Sequence, residues 1–417
     1  MATASAIPIQ RNTLLSQVRG NLGPLLVFVA LVALPFVIGA LDGHTVSEVL
    51  VNGSGYSMFI QGLMVEVFIL AVYAISYDLV LGITGLLSFG HAMFFAVGAY
   101  LTGVLLKTFK MPFVPAGWHL SVTYAGLALV VLSSLLGALA RWLPPWRATV
   151  DRLSTPLVVI GLAAVIWGLF RSTVGMVIIA GVIQALLFGI VLPRVKGITF
   201  ALVTLGIASV FAIMLGTREL AGYTGADVGL QGIPRPDFLN PATQRLRFYF
   251  LGLAFAVAVY LIYKRFVNSP TGRVCVAIRE NENRALMLGY NTFLFKLAAL
   301  TLASVTAALA GCMHAVFKPL VSPEIAGMGH TVDALLIILI GGMGTLSGAM
   351  IGAALYRLLD YYLFRWFGAS AGFMLGAIYV SFVLFVPYGI VGTWRLRNLQ
   401  WKQGWRKRLQ ALRGGGG

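Results

Sequence analysis

Apolar runs of the length needed to cross a bilayer recur along the whole chain. A helical span takes about 20 predominantly apolar residues. Candidates fall at 24–41, 58–82, 84–106, 120–142, 155–170, 172–193, 198–216, 246–263, 292–317, 331–349, 350–367 and 371–393. Inside a bilayer every backbone N–H and C=O must be satisfied within the protein, and runs this long achieve that as helices. The expected fold class is an all-α polytopic membrane protein with about 10–12 transmembrane helices. Of 417 residues, 59% are apolar and 10% charged. A soluble domain carries about 25% charged residues, so an ordinary soluble enzyme and a disordered chain are both excluded.

The net charge of +17 would suggest nucleic acid in a soluble protein. Here no basic run outside the spans is interleaved with stacking aromatics, and the basic loops have a simpler reading. Lys and Arg collect in cytoplasmic loops. Residues 1–23 carry Arg11 and Arg19 and no acid, whereas 42–57 carry Asp42 and Glu48 and no base. Arg141, Arg147 and Arg152 form one basic group, Arg194 and Lys196 another. Residues 264–296 hold Lys264, Arg265, Arg273, Arg279, Arg284 and Lys296 against Glu280 and Glu282, and the tail 394–417 is basic throughout. Alternating the spans from an inside N-terminus puts all these groups inside, both termini cytoplasmic, and 217–245 outside. Lys107 and Lys110 are the exception. Of the two cysteines, Cys275 falls in a cytoplasmic loop of this scheme and Cys312 within a span, so they are not expected to pair.

Two spans are broken by glycine. One reads TGLLSFGHAMFFAVGAY (Thr84–Tyr100) and the other GTLSGAMIGAALY (Gly344–Tyr356), each with Gly-x-Leu-Ser followed by Ala-Met. Interrupted segments in corresponding parts of a transporter point to its substrate route; equally, small residues let helices pack closely. The first reading makes Thr84, Gly85, Ser88, Gly90, His91, Gly341, Gly342, Gly344 and Thr345 the candidate path. The run 331–343 is short enough to be a half-helix or re-entrant piece. Glu66, Asp78, His91, His314, Asp333 and Asp360 are the main ionisable groups within spans, most of them near span ends; Glu66 lies deepest, and it either bonds a neighbouring helix or lines the route. Ser88 and His91 share a helix face, which raises an intramembrane hydrolase, but nothing marks an oxyanion hole. No P-loop and no metal-ligand spacing occurs in the chain.

The cytoplasmic loop NSPTGRVCVAIRENENRALMLGYNTFLFK (Asn268–Lys296) is the most informative stretch. Ser269 caps, Pro270 opens and Gly289 stops a helix. Val274, Ala277, Ile278, Ala285 and Leu288 recur at helical spacing. Arg279 to Arg284 is a charged block, with Glu280 and Arg284 at i, i+4. A single amphipathic helix with its charges towards the cytosol is expected. Membrane-surface helices use bulkier anchors, so a soluble partner is the preferred occupant.

Three blocks carry a resemblance: Tyr77–Tyr100, Gly272–Leu300 continuing to Ala315, and Ser322–Tyr356. With the loop TGADVGLQGIPRP (Thr224–Pro236) they resemble the membrane subunits of ABC importers of the branched-chain (hydrophobic) amino-acid uptake family, most closely the LivM-type permease. The likeness implies an ABC-importer permease fold, a single transmembrane permease domain over 1–417, and residence in the bacterial inner membrane. It implies a complex with a homologous LivH-type permease, two cytosolic ATPases and a periplasmic solute-binding protein. ATP and Mg would bind the ATPases, with no cofactor and no enzymatic activity in this chain. The loop 264–291 would hold the coupling helix, with Gly272, Arg273, Ala277, Ile278, Arg279, Glu280, Asn281, Glu282, Ala285 and Gly289 meeting the ATPase. The usual Glu-Ala-Ala pattern with a following Gly is only loosely echoed by Glu282, Ala285 and Gly289, and the N-terminal region and the hairpin 155–193 exceed a minimal member. Leu, Ile or Val is the implied cargo; urea, short amides and small aromatic acids are carried by relatives. A stand-alone secondary transporter would need deep ion-coupling carboxylates and would have no use for the coupling helix.

Overall fold

The computed structural model describes residues 14–45, 48–49, 55–115, 117–140, 157, 160–161, 164–165, 167–192, 194–195, 197–318, 320–386 and 388–394. The basic groups at Arg11, Arg141, Arg147, Arg152, Lys196 and 395–417 lie outside the described residues, as does much of the candidate span 155–170.

The chain is a bundle of helices. In order they are α1 (Leu14–Leu41), α2 (Tyr56–Tyr77), α3 (His91–Lys107), α4 (Trp118–Ala140), α5 (Thr173–Val191), α6 (Ile198–Leu215) and α7 (Arg245–Asn268). There follow α8 (Pro270–Glu280), α9 (Glu282–Met287), α10 (Thr292–Phe317), α11 (Met328–Gly341), α12 (Leu346–Phe367) and α13 (Ala371–Phe385). Among the described residues, six segments are long and apolar enough to cross a membrane, and α3 and α11 are shorter apolar helices. With α11 at 14 residues, its length is about 21 Å at 1.5 Å per residue. That is less than the ~30 Å hydrocarbon core, so the half-helix expectation matches the geometry. The span expected from residue 84 starts only at His91, because Thr84–Gly90 is not helical. The helix expected to end at 263 runs on to Asn268, which places Lys264 and Arg265 on α7 rather than in a loop.

Outward faces are apolar: Ile183 and Ile190 on α5, Val210 and Ile213 on α6, and Phe373 and Leu384 on α13 are exposed. Many interior positions are polar and buried, among them Ser76, Asp78, Ser88, His91, Thr204, Ser304 and Thr331. This is the arrangement of a chain solvated by lipid, where interior polar groups must find protein partners. Pro35 illustrates it. Lacking an N–H, it leaves the carbonyl of Leu31 without its helical donor, and the hydroxyl of Tyr249 on α7 donates there instead at 2.6 Å.

The bundle centre is the crossing of α3 and α10, with α5 against the same helix. Glycine permits the approach. A Cβ on Gly98 would strike the backbone of Ala308, and one on Gly311 the carbonyl of Phe95. Ser304 on α10 donates to the carbonyl of Gly181 on α5 at 2.7 Å. At one end of the bundle a two-residue antiparallel ladder pairs β1 (Leu230–Gln231) with β2 (Leu320–Val321). Lys107, at the end of α3, donates to the carbonyl of Gln231 at 2.7 Å. The exception to the charge pattern therefore has a local partner in the 217–245 loop. Cys275 and Cys312 are both free and buried.

Candidate functional site: a glycine junction, a short helix pair and a polar pocket

The two glycine-broken segments meet. α2 does not end cleanly at Tyr77; it widens into a π-helical turn over Asp78–Ile83. Such turns leave backbone groups for other partners. The carboxylate of Asp78 accepts from the backbone N–H of Gly344 at 2.7 Å. A Cβ on Gly82 would lie 2.6 Å from that same nitrogen. Gly344 (φ 76) and Gly342 (φ 117) adopt conformations that L side chains avoid. Each segment is thus a helix, a glycine break and a returning helix, and the breaks pack on one another.

Threonines carry the rest of the first break. The Thr331 hydroxyl donates to the carbonyl of Phe89 at 3.1 Å and accepts from the N–H of Ala92 at 3.0 Å. Thr204 accepts from Phe89 N–H at 3.2 Å. Of the expected path residues, Thr84, Ser88, Gly90, His91, Gly341 and Gly342 are buried, Gly344 and Thr345 are half-buried, and Gly85 is exposed. Ser88 and His91 do not form a pair: the Ser88 hydroxyl accepts from Gly90 N–H, and His91 Nε2 bonds Ser76 at 2.8 Å. The Ser76 hydroxyl itself donates to the carbonyl of Tyr73. Nothing here activates a serine, which removes the basis for a hydrolase at Ser88.

The segment 268–296 forms two helices, not one. Ser269 caps α8 by accepting from Gly272 N–H, with Pro270 in the first turn, and Gly289 (φ 86) follows α9. Between them Asn281 is extended, and its side chain caps α9 by accepting from Arg284 N–H at 2.9 Å. The Asn side chain competes with the helical backbone, which is why this residue type breaks helices and caps new ones. Glu280 and Arg284 consequently sit on different helices, and the expected i, i+4 pairing is lost.

Two members of the charged block turn inward. The Arg279 guanidinium donates to the carbonyl of Gly82, inside the π-helical turn. A Cβ on Gly85 would lie 2.9 Å from Arg279 Cγ. Glu282 accepts from Lys296 Nζ at 2.6 Å and from the Thr292 hydroxyl at 3.2 Å, fastening α9 to the first turn of α10. The expectation that both face the cytosol is thereby corrected. Gly272, Cys275, Ile278 and Ala285 are buried; Arg273, Ala277, Glu280, Asn281 and Gly289 are exposed. Beside them stand exposed apolar side chains, with Met287 87% and Leu288 71% accessible. Leu286 and Tyr290 are exposed as well. The bulky anchors missing from the first helix are present on the second.

Sequence reasoning named Glu66, His314, Asp333 and Asp360 one by one, but not that they meet around one space with Lys318 and Arg357. Glu66 is bridged by Arg357 of α12 and lies 3.3 Å from Lys318 Nζ. Arg357 also holds Asp360, and His330 Nδ1 is 3.7 Å from Asp333. His330 is stacked on Tyr73 with centroids 4.8 Å apart. These groups line a pocket of about 210 Å³. None of the nine expected path residues borders it. The available signal was a few ionisable residues scattered over α2, α11, α12 and the end of α10, whose convergence no local spacing reveals.

A family described as the permease component of a branched-chain amino acid transport system matches residues 59–391. The chain belongs to this family. It is similar to the high-affinity branched-chain amino acid transport system permease protein LivM of Escherichia coli, at 25% identity over 90% of this chain and 82% of that one. A probable LivM permease of Methanocaldococcus jannaschii is 25% identical over 75% of this chain and 85% of its own. The E. coli permease LivH is 22% identical over 77% and 91%. No solved structure matches. This permease is a multi-pass membrane protein of a transport family, and the helix breaks, the junction and the α8–α9 pair all lie inside the matched region.

Proposed function

We propose that the permease is one membrane subunit of an ATP-driven importer in the bacterial inner membrane, carrying Leu, Ile or Val. Its complex would include a LivH-type permease, two cytosolic ATPases that bind ATP and Mg, and a periplasmic binding protein that delivers the cargo. This chain hydrolyses nothing; it converts closure of the ATPases into opening of a route. The observation that carries the reading is the Arg279–Gly82 bond. It ties the helix exposed to the cytosol directly to the junction where both glycine-broken segments meet. In this reading the junction is the inner closure of the route. α8 and α9 are the lever, held to α10 through Glu282.

The patch of Met287, Leu288 and Tyr290 supplies the docking face for an ATPase. Buried hydrophobic anchors at the centre of an interface cost about 2 kcal/mol or more when lost. Met287→Asp with Leu288→Asp is expected to remove the ATPases from the purified complex, while the chain still inserts and remains monodisperse. The experiment is affinity purification from native membranes with a search for P-loop ATPases. Their retention by the double variant would move the contact elsewhere.

Sidedness is tested with single cysteines and an impermeant thiol reagent on intact cells. The buried Cys275 and Cys312 give little background. Gly222 has open space around it, whereas Gly225 has φ +76 and would clash with the backbone of Gly229. Gly222→Cys should label from outside and Gly404→Cys should not. Labelling of both from outside would contradict cytoplasmic termini.

A further inference from the structure

The pocket around Glu66 combines both signs of charge with an apolar wall, away from the glycine junction. Negative groups are Glu66, Asp333 and Asp360, and positive groups are Lys318 and Arg357. Ile69, Leu70 and Phe95 form the apolar side. Three of the five charged groups are tied together by Arg357, but the tie is incomplete. Buried Arg357 Nε and buried His330 Nε2 have no hydrogen-bond partner. A buried donor left unmade costs about 1–3 kcal/mol, so two such atoms at one pocket mark a place where a polar ligand completes the bonding.

Volume limits the ligand. An apolar cavity of about 150 Å³ accommodates benzene. At about 210 Å³ the pocket takes a molecule half as large again, which is the size of a leucine zwitterion. Among the described residues, Asp333 is the carboxylate of this pocket that no Lys or Arg bridges, so the lining offers an anionic group as well as the Arg357 and Lys318 cations to a ligand carrying both charges.

We propose that this pocket binds the zwitterionic head of the cargo amino acid, with its carboxylate towards Arg357, its ammonium towards Asp333, and its side chain on Ile69, Leu70 and Phe95. The proposal rests on the import reading above for its cargo. It adds a selective step within the permease itself, one that requires both charged groups of the ligand.

The test is equilibrium binding of radiolabelled L-leucine to the purified permease–ATPase complex without binding protein, with ATP-driven leucine uptake into vesicles measured in parallel. Saturable binding is expected. Leucinamide, which lacks the carboxylate, and 4-methylpentanoate, which lacks the ammonium, should compete about tenfold more weakly or worse, a factor equal to about 1.4 kcal/mol. Arg357→Gln should weaken binding to a similar degree. Because it leaves Glu66 without its main partner, Leu70→Trp is the second variant: it keeps every charge and fills the space. Binding unchanged in both variants, or equal competition by leucinamide, would reduce the cluster to a structural ion-pair network. Wild-type uptake without saturable binding overturns the pocket and leaves the import reading intact. Binding without uptake overturns the import reading and leaves the pocket standing; absence of both overturns both.

Discussion

Gly311→Leu leaves no stable permease to purify. Gly311 faces α3 at the closest helix approach in the bundle, where an added Cβ strikes the carbonyl of Phe95 and comes within 2.9 Å of Ala99 N. Backbone cannot give way as a flexible side chain can, so the helices must separate. Close packing of small residues is what holds helices together in lipid, where no hydrophobic force favours association. Overpacking a well-filled core costs about 1–3 kcal/mol even when side chains absorb it. Here α3 and α10 also carry Phe95, His314 and the contacts to α5, so the loss spreads to the middle of the bundle. The same argument applies to Gly98 against Ala308. Gly206→Leu is the matched control, because Gly206 is exposed on α6 with nothing within 4 Å, and a better helix former there is neutral or slightly stabilising. Yield of monodisperse protein and the unfolding temperature in detergent check the pair. A Gly311→Leu variant as stable as Gly206→Leu would mean that the crossing is looser than described.

The architecture was legible because lipid imposes it. Length and apolarity marked the six described segments long enough to cross a membrane, and turn chemistry marked the ends of the 268–296 segment at Ser269, Pro270 and Gly289. The split at Asn281 was missed for a physical reason. An amphipathic pattern read across 270–289 keeps its period even where one side chain captures a backbone N–H and resets the helix. The inward turn of Arg279 was also invisible, since a surface Arg and one reaching a carbonyl on a distant helix have the same local sequence. The resemblance between the glycine-broken segments did mark residues that meet, yet the path assigned to them is a closed, bonded junction in this conformation. The pocket lies instead where charges from α2, α11, α12 and the end of α10 converge. Tertiary structure alone assembles such a group.

Arg279→Ala is expected to abolish uptake while leaving the ATPases bound. Arg279 is exposed at its root on α8, but its guanidinium lies on the Gly82 carbonyl, one of the backbone groups released by the π-helical turn. A hydrogen bond from a charged group is worth about 1.5–3 kcal/mol, enough to transmit a displacement of α8 to the junction. Its loss leaves the docking patch on α9 intact, because Glu282 holds that helix to Lys296 independently. The complex should therefore assemble and hydrolyse ATP, yet stimulation by binding protein and cargo should fall by about tenfold or more. Arg273→Ala, an exposed change one turn and a half away on the same helix, controls for lost charge. Asp78→Asn probes the other side of the junction. An amide oxygen can still accept from Gly344 N–H, so geometry survives while the carboxylate is lost from the site that faces Arg279. Uptake should fall less than in Arg279→Ala. Asp78→Ala leaves the Gly344 N–H unbonded and should reproduce the full defect. If Arg279→Ala imports normally, the lever does not run through Gly82, and α8 must act on the route through its contacts with α7 and α10.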